Sequence, residues 1–211
     1  NMRTIKTITA LITMLLYSSL ALAQESRPMS PRGQASTQVG GEWVVKDDRT
    51  RYVGGKWLDV EYGRPIKRDR ENLFGSGESY GEKLNGGAPV WRAGANASTR
   101  FRTEVPLMID GKHLDSGEYS LFIELKENSW TLIVSNHDYQ EKYDREEKVK
   151  VWGSYGYQQS MDALRVPMQL SKSPHSVDQL TIGFVDVTKD SGKLVLSWDK
   201  EIGTVEFSVM M

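Results

Sequence analysis

The stretch RFRTEVPLMIDGKHLDSGEYSLFIELKENSWTLIV, residues 100–134, gives the clearest indication of the fold. Apolar side chains recur in it at every second position, which is the period of a β-strand with one buried face. Three such runs follow one another: Arg100–Ile109, Tyr119–Leu125 and Trp130–Val134. Turn residues such as Asp110-Gly111 separate the runs. The spacing therefore predicts an antiparallel meander of three strands with short connections.

The C-terminal third repeats this alternation. Its apolar faces are Leu180–Phe184, Leu194–Trp198 and Val205–Val209. Pro167 lies in a further run and indicates an edge strand or a bulge, because proline cannot donate to a ladder hydrogen bond. Gly203 is expected to begin a separate last strand. With eight to ten short strands and no long helical period, the fold class predicted is all-β: an antiparallel β-sandwich, with a barrel as the second choice.

The N-terminal residues have the three parts of a secretory signal peptide. Arg3 and Lys6 are basic, residues 8–20 are apolar, and residues 21–23 (Ala-Leu-Ala) form a cleavage site before Gln24. We therefore expect a cleaved signal peptide over residues 1–23, no membrane anchor after cleavage, and a periplasmic or secreted protein. Residues 24–42 are polar and rich in Gly, Ser and Pro, which predicts a flexible tether. The single β-sandwich domain is then expected over residues 43–211.

Composition excludes several classes of function. The chain has 27 Lys and Arg against 28 Asp and Glu. A protein that binds nucleic acid would need a clustered basic surface, so nucleic acid is not an expected partner. The chain contains no cysteine, which removes thiol catalysis, thiolate metal sites, disulfides and a lipid anchor on cysteine.

Two short motifs carry a family resemblance. Tyr62-Gly63-Arg64-Pro65 precedes Phe74-Gly75, and residues 90–99 read VWRAGANAST. The later runs GEYSLF (117–122) and VWGSY (151–155) continue the pattern. The sequence resembles the bacterial secreted family catalogued as domain of unknown function 2911 over roughly residues 57–211. The resemblance implies an exported, mostly β domain, and it implies no particular activity.

The same motifs contain the candidate ligand-binding residues. Aromatic rings can stack on a ligand, while arginine and asparagine side chains supply hydrogen bonds. The asparagine of the GAN turn is also expected to adopt a positive φ or to bond its own backbone. The candidate site consists of Tyr62, Arg64, Arg70, Trp91, Arg92, Asn96 and Thr99. A purely structural role stays open for the same residues, with Trp91 in the core and the polar groups joining loops.

Other motifs are weaker. The glycine-rich FGSGESYG (74–81) lacks the Lys-Ser/Thr ending of a phosphate-binding loop. His113, His137 and His175 are scattered without metal-ligand spacing, so no metal site and no cofactor are predicted. Gly153-Ser154-Tyr155-Gly156 does not match a nucleophile elbow, and no catalytic residues are assigned.

We therefore expect a non-catalytic ligand-binding or interaction module, whose partner is a small molecule, a glycan or an envelope protein. The alternative is a hydrolase that acts on glycan or cell-envelope material through two carboxylates, which would have to face each other across a cleft. A third possibility is a structural protein whose exposed edge strand pairs with another chain. An exposed apolar patch would be the sign of that third function.

Overall fold

The structure is a computed structural model that describes residues 28–210. The predicted signal peptide, residues 1–23, lies outside the described residues, as does the beginning of the predicted tether. Twelve strands make up most of the described part. They are β1 (Arg32–Val39), β2 (Glu42–Lys46), β3 (Arg49–Val53), β4 (Lys56–Gly63), β5 (Thr99–Thr103), β6 (Leu107–Ile109), β7 (Lys112–Leu114), β8 (Gly117–Lys126), β9 (Ser129–Ser135), β10 (Asp162–Pro167), β11 (Gln169–Val185) and β12 (Ser191–Val209).

The strands form two antiparallel sheets that enclose the core. The larger sheet has the order β1-β4-β5-β8-β9-β10, and the smaller has the order β11-β12-β6-β7. The hairpin β2–β3 forms a sheet of its own. Within residues 28–210, helical structure is limited to one turn of α-helix (Glu82–Asn85) and two 3-10 turns (Gly77–Ser79 and Gln159–Met161). The predicted all-β antiparallel sandwich is therefore confirmed, and the sheets do not close into a barrel.

Three tryptophans, Trp91, Trp130 and Trp198, are the largest fully buried side chains. They lie between the sheets with alternate residues of β4, β8, β9 and β12. Each of these rings buries a large apolar area, and together with the aliphatic residues they supply the packing that holds the domain without disulfides. The core also includes Phe74, which comes from a loop and not from a strand.

The outer face of the larger sheet is covered as well. Val90, Phe122, Ile133 and Val151 form a second apolar cluster there. The irregular segment between β9 and β10 contributes to its cover, with Tyr139 and Tyr157 packed against it. Residues 119–123 of β8 are therefore all buried, although the alternation in the sequence indicated that sheets would have one wet face.

The predicted tether is wrong over part of its length. Residues 32–39 form β1, which pairs with β4 from Arg32↔Gly63 to Val39↔Lys56. The polar sequence RGQASTQV fits an edge strand because only Val39 is fully buried in it. Ladder hydrogen bonds to β4, rather than apolar side chains, hold this strand in place. The folded domain therefore begins before residue 43.

Two strand boundaries also differ from the prediction. The run Arg100–Ile109 is split, because β5 belongs to the larger sheet and β6 to the smaller one. The chain crosses between sheets at Val105-Pro106, and the apolar period continues across the crossing because both strands face the same core. Gly203 does not begin a new strand, since β12 is continuous from Ser191 to Val209. Pro167 ends β10, an edge strand of the larger sheet, as predicted.

Candidate functional site

Trp91, the central residue of the WRAGAN motif, lies in the core with 1% of its surface exposed. Its ring stacks on Trp198 at a centroid distance of 6.0 Å. Its indole N–H donates to the carbonyl of Gly94 at 3.2 Å. Its backbone exchanges two hydrogen bonds of 2.8 Å with Ile123 of β8. Every polar and apolar surface of the residue is used inside the protein.

Tyr62 and Thr99 are buried too, and their hydroxyl groups join neighbouring segments. The Tyr62 hydroxyl accepts from the backbone N–H of Ile182 at 2.8 Å, which ties β4 to β11. The Thr99 hydroxyl donates to the carbonyl of Ala93 at 3.1 Å, which closes the WRAGAN turn onto β5. Both hydroxyl groups therefore make hydrogen bonds within the domain.

The three arginines of the candidate site bond to backbone and hydroxyl oxygens in three different places. Arg64 donates to the carbonyl of Leu180 at 3.2 Å, and Arg92 donates to that of Asn96 at 2.9 Å. Burial lowers the pKa of Arg92. Arg70 donates to the carbonyl of Ile66 at 2.7 Å and lies over the ring of Trp198 at 5.3 Å. These contacts fix loops to the sheets.

The two motifs meet through their glycines. A Cβ on Gly63 would lie 2.0 Å from the carbonyl oxygen of Ala95, and one on Gly94 would lie 3.1 Å from the carbonyl oxygen of Gly63. The backbone of YGRP therefore packs directly on the backbone of WRAGAN. Asn96 stands at the tip of this contact with φ +64, as its place in the GAN turn predicted. The spacing of the motifs has a packing reason that is independent of any ligand.

The seven predicted residues do not line one common cavity. Tyr62 and Asn96 border a small cavity of about 120 Å³, and the other five do not line it. A shared role in ligand binding for these seven residues stays a prediction.

A larger cavity, of about 490 Å³, opens where three distant segments meet. We call it the Phe74 pocket. Its lining comes from the loop 72–80, from the β8–β9 turn at residues 127–128, and from β11 and β12 at residues 170–172, 199 and 201. Most of these residues are polar, and its apolar surface comes from Leu73, Phe74, Tyr80 and Leu170.

The base of the Phe74 pocket is aromatic. The Phe74 and Tyr80 rings stack at 5.9 Å, and Phe74 packs against Trp130 at 5.1 Å and the edge of Trp91 at 6.3 Å. The Tyr80 hydroxyl accepts from the indole N–H of Trp130 at 3.1 Å. Burial raises the pKa of Tyr80 to about 12, a rise that the Trp130 hydrogen bond opposes and the nearby glutamates reinforce. The aromatic base of the pocket therefore rests on the buried core.

Three carboxylates, Glu127, Asp199 and Glu201, line the same pocket. Glu127 accepts from the backbone N–H of Gly77 at 2.7 Å. Asp199 accepts from the ammonium group of Lys67 at 2.8 Å, and Glu201 is paired with Lys172. Burial alone would raise the pKa of Asp199. Its hydrogen bonds and the lysine charge outweigh burial, so the pKa of Asp199 lies below its usual value. Asp199 is therefore ionised at neutral pH and is a hydrogen-bond acceptor.

Glycines shape the loop that borders the pocket. Gly75 and Gly81 have φ values of +79 and +84. A Cβ on Gly81 would lie 2.7 Å from that of Leu125, while its N–H donates to the carbonyl of Phe74 at 2.6 Å. The glycines of FGSGESYG close a loop over β8, which explains their presence without a phosphate. Sequence reasoning considered this segment only as a phosphate-binding loop, and its three glycines are the signal by which the loop beside the pocket could have been found.

A polar cluster outside the pocket also escaped sequence reasoning. Asp162 accepts from the Tyr157 hydroxyl at 2.7 Å and from Arg165 at 3.0 Å, and Arg165 also pairs with Glu124. Burial, followed by the contact with Asp162, raises the pKa of Tyr157. The side chain of Asp162 is only 5% exposed, and the cluster ties β8 to β10 on the covered face.

Comparison with known families identifies the family of this chain. The family model described as a protein of unknown function, DUF2911, matches residues 46–207. The chain belongs to this family. The resemblance carried by the YGRP and WRAGAN motifs is thus confirmed. The DUF2911 match spans β3 to most of β12, so all the segments that line the Phe74 pocket lie within the matched residues. Strand β1 lies before them. No curated protein and no solved structure matches the chain.

The described residues contain no group of three or more His, Asp or Glu side chains arranged to hold a metal ion. His137 is buried, and its Nε2 accepts from the backbone N–H of Gln158 at 2.8 Å. Over residues 28–210, no helix is long and apolar enough to cross a membrane.

Proposed function

We propose that this DUF2911 domain is a non-catalytic ligand-binding module that acts outside the cytoplasm and takes a neutral, hydroxyl-rich ligand, a sugar, in the Phe74 pocket. The observation that carries the proposal is the joint placement of a partly exposed aromatic ring, Tyr80, and three carboxylates around one open cavity. The leader sequence supports the location, because an exported protein meets the glycans of the cell envelope.

The volume of the pocket supports a small ligand. Ligand sites in proteins are commonly clefts of about 300–1,000 Å³ with a few placed polar groups. The Phe74 pocket, at about 490 Å³, falls in this range. A sugar ring can lay its C–H face on Tyr80 while its hydroxyl groups donate to the carboxylates and to the amides of Asn72 and Asn128.

The charge of the pocket favours a neutral ligand over a cation. Lys67 holds Asp199 and Lys172 holds Glu201, so two of the three carboxylate charges are already compensated. A multiply charged amine would have to compete with both lysines. A hydroxyl group needs only an acceptor lone pair, and an ionised carboxylate has several of them.

The hydrolase alternative gains one specific observation, because three carboxylates line a single pocket whose Phe74 ring packs against Trp91. Hydrolysis of a glycosidic bond requires one protonated carboxyl group as the acid. Asp199 is unsuited to that role, since its lowered pKa keeps it ionised. Prolonged incubation of the protein with chitotetraose, followed by mass spectrometry, tests the hydrolase alternative: shorter sugars would support it, and intact chitotetraose would count against cleavage of this sugar.

The proposed function is tested by calorimetric titration of the protein with two neutral sugars, cellotetraose and chitotetraose. At least one should bind, and its affinity should change little with salt because the ligand is uncharged. Glu127→Gln keeps the size of the side chain and its contact with Gly77, but removes the charged acceptor. This variant should bind roughly tenfold more weakly, since hydrogen bonds to charged groups are the stronger ones.

The matched control is Glu146→Gln, a change in the exposed charged segment between β9 and β10, which should leave the affinity unchanged. Spermidine serves as the cationic probe. The proposal fails if neither sugar binds, if both variants lose the same affinity, or if only spermidine binds and is displaced by salt.

A further inference from the structure

The hairpin β2–β3 projects from the sandwich and exposes apolar side chains. All five residues of β2 (EWVVK) are exposed, and Trp43 and Val45 each have 72% of their surface open. A two-stranded hairpin on its own is marginal in water. Exposed apolar side chains in such numbers mark an interaction surface.

Paired glycines set the direction of this hairpin. Gly40-Gly41 separates β1 from β2, and Gly54-Gly55 separates β3 from β4. The ring of Tyr52 lies over this junction, because a Cβ on either Gly41 or Gly55 would be 2.6 Å from it. The Tyr52 hydroxyl also accepts from the N–H of Gly41 at 2.9 Å. The hairpin is therefore held at a defined bend and does not hang as a loose loop.

One edge of β2 carries unused backbone groups. Within residues 28–210, β3 is the only strand that pairs with β2. Asp47 and Asp48 have φ values of +52 and +56, which makes the connection a two-residue turn of type I′ and makes Lys46↔Arg49 a hydrogen-bonded pair. Hydrogen-bonded and non-hydrogen-bonded pairs alternate along an antiparallel ladder. The N–H and C=O groups of Trp43 and Val45 consequently point away from β3, toward the free edge.

The sequence of β2 is complementary to itself when it is read antiparallel about Val44. Oε1 of Glu42 accepts from Lys189 of its own chain at 2.9 Å, which leaves Oε2 for a second partner. In the antiparallel arrangement Glu42 faces the partner's Lys46, so that opposite charges meet once at each end.

Trp43 faces the partner's Val45 in hydrogen-bonded pairs, which uses the outward backbone groups on both strands. Val44 faces its own copy at the centre. Cross-strand pairs of opposite charge and of aromatic with β-branched residues are the favourable ones.

We propose that β2 is a homodimerisation edge, at which two copies of this chain join their hairpins into one four-stranded antiparallel sheet, β3-β2-β2-β3, related by a twofold axis at Val44. This arrangement is isologous, the commonest form of homodimer symmetry. It covers the free edge that would otherwise invite uncontrolled strand addition. The contact is small, so the dimer belongs to the weak class of interfaces.

Sedimentation velocity of the whole protein tests the proposal from micromolar to millimolar concentration. The wild-type chain should sediment faster as concentration rises. Glu42→Lys and Lys46→Glu should each weaken self-association by roughly tenfold, because two attractive pairs become repulsive. An equimolar mixture of the two single variants should recover association, since the strand with two lysines then faces the strand with two glutamates.

In the double variant Glu42→Lys/Lys46→Glu the two charges are exchanged, so two copies of this variant can form both charge pairs between them. This variant should self-associate like the wild type. Val45→Pro removes an N–H that faces the free edge, and should abolish association while leaving the β2–β3 ladder in place. Circular dichroism of each variant shows that the sandwich is retained. A wild-type protein that stays monomeric at millimolar concentration overturns the proposal, as does a mixture of variants that fails to associate.

Discussion

Trp91 and Trp43 lie in opposite environments, one buried and the other exposed. Trp91 is enclosed by Trp198, Phe74 and the core of the sandwich. Trp91→Ala should lower the free energy of unfolding by about 3–5 kcal/mol, the cost of emptying a large core site. Trp43→Ala, at an exposed position, should change it by less than about 0.5 kcal/mol. Urea denaturation of both variants checks this, and equal losses would contradict the core assignment of Trp91.

Gly63 is the residue that joins the YGRP and WRAGAN motifs. Gly63→Ala places a methyl group against the backbone of Ala95, which cannot move as a side chain would. We expect a loss of about 1–3 kcal/mol in the free energy of unfolding, the usual cost of overpacking. Gly183→Ala is the control, since a Cβ there would make only an ordinary contact with Ala35 at 3.9 Å. A Gly63→Ala protein as stable as the control would disprove the close backbone contact.

The raised pKa of Tyr80 has a consequence in alkaline solution. The folded protein keeps this proton up to about pH 12, whereas the unfolded chain releases it near pH 10. Stability that Tyr80 contributes is therefore fully present below about pH 10 and declines as the pH rises toward 12. In Tyr80→Phe the free energy of unfolding should lack this decline with pH. The difference in free energy of unfolding between wild type and variant should therefore be smaller at about pH 11 than at about pH 9. A gap that stays constant would show that the phenol is not protected from ionisation.

At the scale of elements, β1 decides where the folded domain begins. Its removal would leave β4 as an edge strand and would uncover the core on one side. A protein that starts at Trp43 should aggregate or melt at a lower temperature than one that starts at Pro31, because β4 loses the whole ladder with β1. Thermal unfolding followed by circular dichroism compares the two. Equal melting temperatures would show that the stretch from residue 32 to residue 39 is dispensable, as the sequence had predicted for a tether.

The strands that the sequence predicted best are those with a strict two-residue period and large apolar residues, such as β8 and β9. β1 escaped prediction because its stability comes from backbone hydrogen bonds, which leave no mark on side-chain type. The split between β5 and β6 escaped for a different reason. The apolar faces of β5 and β6 both point toward the same core. The apolar period therefore does not reveal that the chain changes sheet at Pro106.

At the scale of the whole molecule, the Phe74 pocket is assembled from segments that lie up to about 130 residues apart in the chain, from Asn72 to Glu201. Sequence reasoning favoured the WRAGAN residues, because aromatic and polar types are concentrated there. The structure brings most of those side chains into internal contacts. Two carboxylates of the pocket, Asp199 and Glu201, lie two residues apart on β12, whereas Glu127 comes from the β8–β9 turn. Only the packing of the two sheets brings Glu127 to the other two.

The proposed export also concerns the whole chain. We expect the mature protein, recovered from the periplasmic or culture fraction of a Gram-negative host, to begin at Gln24. Intact mass and N-terminal sequencing of that material check the cleavage position. Recovery of the unprocessed chain in the cytoplasm alone would contradict the proposed location and would leave the pocket without access to envelope glycans.

The most direct test of the central claim is a two-dimensional ¹H–¹⁵N spectrum recorded during titration with chitotetraose or cellotetraose, with backbone assignments. We expect the amide signals that shift to belong to residues 72–80, 127–128, 170–172 and 199–201 around the Phe74 pocket. Residues 92–98 should stay unchanged, because Trp91, Arg92 and their neighbours serve the fold. Shifts centred on residues 92–98, with no change around the Phe74 pocket, would return the ligand site to the WRAGAN loop.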